Sequence, residues 1–208
     1  KILRKYADLW FSNFVYPFKG RFRPPLARSA INIVCPEGKG VILDPFTGSG
    51  TTNMEAALLG LDSIGIDINP FYTAMTKAKY QFYTRQLENE RFASKFWDSL
   101  DSGSLFQKPS QEAISKNNYH PLFPVMYSYA TCMHFKNPRK AFLKKYQEIK
   151  ILQDEWWKIK DKYKLGKLEV KTTTAENLPY PDDFIDGIVT SPPYSNALDY
   201  LKENRGAP

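Results

Sequence analysis

Two short stretches of this chain hold residue types that could do chemistry together. The first is Ser191-Pro192-Pro193-Tyr194, which offers a hydroxyl, a carbonyl held by a proline ring and an aromatic face in immediate succession. Neither proline donates a backbone N–H and each fixes its own φ, so the carbonyls of such a loop have no ladder partner. A flat heteroaromatic ring could be held there by an exocyclic NH2, with Ser191 Oγ and the Pro192 carbonyl accepting its protons and Tyr194 stacking on it. Taken alone, Pro-Pro-Tyr reads first as a plain turn that ends a strand, and it is the second stretch that overturns that reading. The second stretch is Asp44-Pro45-Phe46-Thr47-Gly48-Ser49-Gly50-Thr51-Thr52, whose glycines let backbone approach a ligand closely. No Lys precedes Thr51, which excludes a Walker-type phosphate loop, and Asn53 occupies the third glycine position of a dinucleotide fingerprint. Asp67 follows Gly48 by 19 residues, a spacing that suits a carboxylate accepting hydrogen bonds from ribose hydroxyls.

The elements that must position these residues can be read from the pattern. Gly40-Val41-Ile42-Leu43 reads as a strand feeding the glycine loop, and Met54 to Leu59 as a helix closed by Gly60. Ser63 to Asp67 reads as a second strand and Leu168 to Thr172 as a third. Ile185 to Thr190 reads as a buried fourth strand delivering Ser191. Pro24 to Ile33 is expected to be a helix with Leu26, Ala30 and Ile33 on one face, and Asn69-Pro70 to open another with Phe71, Ala74, Met75, Ala78 and Phe82 at helical spacing. A doubly wound sheet of order 3-2-1-4 makes strands one and four neighbours, so residues 44–52 and 191–194 meet at the switch point.

The stretch before the third strand is far longer than an α/β connection needs and reads as an insertion over 86–166. Gln86 to Asn118 is polar, with a loop at Asp101 to Ser110. A helix then starts at Asn137-Pro138, repeats Phe142, Tyr146, Ile149, Leu152, Trp156, Ile159 and Tyr163, and is expected to end at Gly166. The organisation expected is therefore an N-terminal helical segment over 1–34, an α/β core over 35–85 and 167–208, and a mainly helical insertion over 86–166.

Taken together, the two motifs resemble the amino-directed DNA methyltransferases of non-permuted motif order, which transfer a methyl group from S-adenosylmethionine to cytosine N4 or adenine N6. The resemblance implies a Rossmann-like doubly wound sheet. It implies that Asp44, Pro45, Phe46, Thr47, Gly48, Gly50 and Thr51 line the cofactor, that Asp67 binds its ribose, and that Ser191, Pro192, Pro193 and Tyr194 form the catalytic loop. The segment Tyr16 to Pro25, with Phe22, resembles the one that closes over the methionine end of the cofactor. Ala175-Glu176-Asn177-Leu178-Pro179 matches a further motif; Thr174 stands where that motif usually has Asp, leaving Glu176 as the nearest acid for the adenine. Ser before Pro-Pro-Tyr tilts the target toward cytosine N4. Three more strands follow the catalytic loop in this family, so the sheet is expected to be incomplete at the C-terminus and completed by a missing part or a partner chain. Two rival readings stay open: an RNA amino-methyltransferase, and a non-catalytic fragment that binds cofactor or nucleic acid.

The formal net charge of +7 favours a polyanionic partner, DNA before RNA. Seven Lys or Arg against the single acid Asp8 lie between Lys1 and Val34, interleaved with Tyr6, Trp10, Phe11, Phe14, Tyr16, Phe18 and Phe22. These aromatics read either as base-stacking groups or as a helix packed on the sheet. On the 137–166 helix, Arg139, Lys140, Lys144 and Lys145 are candidate phosphate contacts, with a solvated helix face as the alternative. Cys35 and Cys132 give no disulfide framework, and Cys132 with His134 lacks the companions a metal site needs, so no metal is expected. With no membrane-length apolar run, a soluble, cytoplasmic protein is expected.

Overall fold

Apolar, partly β-branched runs bounded by turn residues form the sheet. In the computed structural model, which describes residues 15–16, 21–101, 119–133, 135–176 and 178–193, these are Val41–Asp44 (β1), Asp62–Asp67 (β2), Leu168–Thr172 (β3) and Gly187–Ile188 (β4). Among the described residues they pair in parallel in the order β3-β2-β1-β4. Asp44 faces Gly65 and Asp67 faces Thr172 in the ladders, so the acid-bearing strand ends lie along one edge of the sheet.

The helices are Pro24–Val34 (α1), Thr51–Leu58 (α2), Pro70–Thr84 (α3), Glu90–Asp101 (α4), Leu122–Cys132 (α5) and Pro138–Trp157 (α6). Asn69 caps α3 by accepting from Phe71 N, Asn137 caps α6 by accepting from Lys140 N, and proline occupies the first turn of both, as the sequence requires. Ile42, Ala56, Leu61 and Val189 form a buried cluster with Ile31 and Cys35 of the α1 region. Leu43, Ile64 and Ile66 form a separate cluster, with Tyr180 and Ile185 packed on it.

Helices α4, α5 and α6 are continuous in their packing with α2 and α3. One apolar cluster runs from Met54, Met75 and Phe82 to Phe96, Phe123, Phe142 and Trp156, joining α2 and α3 to α4, α5 and α6. Gln153, fully buried on α6, donates to the carbonyls of Phe82 and Arg85 at 2.9 and 2.8 Å and accepts from Leu87 N at 2.7 Å. One amide thereby serves carbonyls that the end of α3 leaves without intrahelical partners.

Three sequence expectations are corrected. The buried stripe of α1 is Pro24, Ala27 and Ile31, while Leu26 and Ile33 are 58% and 78% exposed. The reason is Glu55 on α2: it is buried and takes Arg28 Nε at 2.7 Å, which turns the Ala27–Arg28–Ile31 side of α1 inward. Helix α6 ends at Trp157, not at Gly166; a 3-10 turn at Lys160–Lys162 follows, and the Tyr163 ring still packs 5.2 Å from Trp156. The fourth strand is a short edge with Ile188 exposed, because β1 is its only neighbour among the described residues. The sequence also gave no warning of α4, whose Ala93, Phe96 and Trp97 are buried within a region that reads as polar. Residues 1–14, Phe18, most of the 101–110 loop, His134 and Tyr194 lie outside the described residues.

Candidate active site

The glycine loop is shaped by what presses on it. Gly50 is in the left-handed region (φ 74°) as N-cap of α2, and a Cβ there would meet the Thr76 side chain of α3 at 2.6 Å. No side chain caps α2, so the amides of its first turn lack intrahelical acceptors. Gly50 N bonds Thr47 O at 2.7 Å, and the buried Thr47 hydroxyl bonds Asn53 Oδ1. Phe46 remains exposed at the mouth of the loop.

Asp67 joins this loop to β2. Its Oδ2 accepts from Gly48 N and its Oδ1 from Asn69 N, both at 2.9 Å. Burial pushes its carboxyl pKa up, and the two amides pull it back. Each oxygen keeps acceptor capacity beyond its amide bond, which is what a ribose diol needs.

Asp44 joins the same loop to the chain that leads to Ser191. Ladder bonds continue past β4 through Val189 N to Leu43 O at 3.0 Å, and Thr190 Oγ1 then donates to Asp44 Oδ1 at 2.6 Å. Phe46 N also donates to that oxygen, at 3.2 Å. The glycine loop and Ser191-Pro192-Pro193 therefore leave neighbouring strands side by side, with Ser191 half-buried and both prolines exposed. Burial, and secondarily Asp67, push the Asp44 pKa up to about 6 against the hydrogen bonds it accepts.

This sets a sign for pH. The folded state holds the Asp44 proton more tightly than the unfolded chain, so the stabilisation is full below the ordinary carboxyl value and is lost as pH rises through about 6. A shift of roughly two units corresponds to about 3 kcal/mol at neutral pH. Asp44→Asn keeps an acceptor where Thr190 and Phe46 converge and removes the buried charge. Urea unfolding should find the variant about 1 to 3 kcal/mol more stable at pH 7.5, with a flatter stability slope between pH 4 and 6. A variant less stable at pH 7.5 with an unchanged slope would contradict this account.

The other nominated residues sit as follows. Phe22 is partly buried against the Ile31–Ile42 cluster, near the start of α1. Glu176 and Thr174 are exposed just beyond β3, and Thr173 N bonds Asp67 O at 3.1 Å, which keeps this segment on the same edge. On α6, Arg139 pairs with Asp98 at 3.0 Å, and Lys145 pairs with Glu148 at 2.9 Å and lies over the Tyr129 ring. Lys140 and Lys144 are exposed. Sequence reasoning missed Thr190 and Lys79. The signal for the latter was a lysine inside the apolar stripe of α3, beside Met75, Ala78 and Phe82.

Residues 5–78 match the model of the N6/N4 methyltransferase family, described as DNA methylase. That match includes the segment Tyr16 to Pro25, the glycine loop and Asp67. Over 72 residues the chain is 40% identical to the type II methyltransferase M.MjaII of Methanocaldococcus jannaschii, covering 35% of this chain and 13% of that protein. Over 78 residues it is 38% identical to the type II methyltransferase M.BsoBI of Geobacillus stearothermophilus, covering 38% and 15%. A tRNA (guanine(10)-N2)-dimethyltransferase of Methanothermobacter thermautotrophicus is 37% identical over 70 residues, covering 34% and 20%. The matched stretches thus span at most 20% of these relatives' own length. No solved structure matches.

Proposed function

From the similarity of residues 5–78 to the N6/N4 DNA methylase family, we propose that this chain transfers a methyl group from S-adenosylmethionine to an exocyclic amino group of a base in DNA, cytosine N4 in particular. The observation that carries the reading is the Thr190–Asp44 hydrogen bond, which ties the Ser191 loop to the glycine loop at adjacent strand ends. The residues present fit the cofactor: an uncapped helix start and a close-approach glycine loop for its backbone-facing edge, and a carboxylate at Asp67 for its ribose. Asp44 and Asp67, neither of them in an ion pair among the described residues, favour a ligand with a positive centre. Asp44, Pro45, Phe46, Thr47, Gly48, Gly50, Thr51 and Asp67 would hold it, with Phe22 and Glu176 at the margins.

Bound there, the cofactor supplies an electrophilic methyl group on a sulfonium. The chain's own part is to make a poor nucleophile attack. The lone pair of an aromatic amine is delocalised into the ring; Ser191 Oγ and the Pro192 carbonyl, each accepting one amine proton, draw the nitrogen toward tetrahedral geometry. Those bonds strengthen toward the transition state. Pro193 keeps the loop rigid and Tyr194 would stack on the base, which must leave the duplex to reach the loop. Exposed Lys140 and Lys144, with the paired Arg139 and Lys145, would meet backbone phosphates.

A second target class has one specific observation in its favour: the similarity to a tRNA-modifying enzyme that also acts on an exocyclic amine. The test offers DNA and tRNA separately to the chain, with any partner it requires, using methyl-labelled cofactor and digestion to nucleosides. Label in N4-methyldeoxycytidine is expected. Label in N6-methyldeoxyadenosine would move the target to adenine, and label confined to tRNA would move the substrate to RNA. Label at cytosine C5 would overturn the mechanism, because that transfer needs a cysteine nucleophile which Ser191-Pro192-Pro193-Tyr194 lacks.

A further inference from the structure

Between the end of β4 and the paired prolines, little holds the chain in place. β4 is two residues long, pairs with β1 alone among the described residues, and leaves Ile188 exposed. The last ladder bond is Val189 N to Leu43 O at 3.0 Å. Beyond it, Pro192 and Pro193 have no N–H to donate. Among the described residues, the one hydrogen bond that ties residues 190–193 to the rest of the chain runs from Thr190 Oγ1 to Asp44 Oδ1, at 2.6 Å. Its acceptor is firmly placed. Asp44 ends β1, is 3% exposed, and takes Phe46 N on the same oxygen at 3.2 Å. A single carboxylate oxygen therefore holds the start of the glycine loop and the residue before Ser191 in one frame.

The two prolines fix the shape of the Ser191 loop but not where the loop stands, and a two-residue edge strand is a weak base for it. Placement is what the chemistry needs, since displacing reacting groups by about 1 Å costs on the order of 100-fold in rate. We propose that Thr190 is a positioning residue for methyl transfer: its hydroxyl, held by Asp44, sets where Ser191 and Pro192 stand against the glycine loop, while Thr190 itself touches neither cofactor nor base. The inference rests on the methyl-transfer reading and assigns to it a residue outside the catalytic loop. A β-branched residue suits a strand end in any case, and valine would serve there equally well. What valine lacks is the donor that Asp44 accepts.

The test measures single-turnover methyl transfer by the full chain, with any partner it requires and cofactor at saturation, beside calorimetric titration of S-adenosylhomocysteine and urea unfolding. Thr190→Val keeps the branched shape and removes the donor; it should slow transfer about 10- to 100-fold and leave S-adenosylhomocysteine affinity within about twofold of wild type. Thr190→Ser returns the hydroxyl and should bring the rate to within about threefold of wild type. A purely structural role predicts the reverse order, because serine is the poorer strand former and the rate would then follow the unfolding midpoint. Thr190→Ala, a second variant without the donor, should be as slow as valine, and stands in for it if valine disturbs the strand. A donor-less variant that folds and is as fast as wild type, a serine variant as slow as valine, or cofactor affinity that falls in step with the rate would overturn the positioning role and leave the methyl-transfer reading standing. Wild-type chain that transfers no methyl group to DNA or tRNA would remove that reading and the role of Thr190 with it.

Discussion

Gly166→Ala is expected to lower the free energy of unfolding by about 3 to 5 kcal/mol, the largest single-residue effect anticipated in this chain. A Cβ at this position would lie 1.8 Å from Leu61 O and 2.2 Å from Leu61 C, so it collides with main chain that no rotamer change can move aside. The same residue donates its N–H to Ala57 O at 3.0 Å and accepts from Tyr80 Oη at 2.9 Å. Shifting the backbone to admit a methyl group would break both bonds in a buried setting, each loss costing about 1 to 3 kcal/mol before relaxation. The consequence reaches the site, because residues 166 and 167 dock β3 onto β2: Ser63 N bonds Lys167 O and Lys167 N bonds Asp62 Oδ1. Chemical unfolding in urea would show the loss as a lowered midpoint. A free energy of unfolding within about 0.5 kcal/mol of wild type would contradict this account.

Asp67→Ala should weaken S-adenosylmethionine or S-adenosylhomocysteine by about 1.5 to 3 kcal/mol, roughly one to two decades in affinity. Two losses combine. The ribose hydroxyls lose their charged acceptor, and Gly48 N loses the oxygen that holds the loop against β2. Asp67→Asn separates them, since one amide oxygen can still accept from Gly48 while the charge is gone; its affinity should fall between wild type and the alanine variant. Calorimetric titration that finds all three equal would take Asp67 out of the site. Burial raises the Asp67 pKa, so affinity should also decline as acid protonates the carboxyl, and the alanine variant should not show that decline.

What the sequence determined by itself was local and chemical. Proline at 70 and 138 and asparagine caps at 69 and 137 act through backbone chemistry within a few residues, and the structure bears out both helix starts, while the helix after the glycine loop begins at Thr51, three residues before the expected Met54. Strand order followed from the same logic, since parallel strands joined through helices leave few topologies. Contacts across many residues were decided only by the tertiary structure. The rotation of α1 depends on Glu55 needing Arg28, and the close fit of Gly166 against Leu61 joins residues 105 positions apart. The Thr190 hydroxyl reaches Asp44 across 146 positions, and Lys79 finds Ser49 O across 30. No periodicity encodes such pairs, because each partner's residue type is ordinary for its own element. It is burial, by withdrawing water from Asp44, Glu55 and Lys79, that makes their few polar contacts decisive.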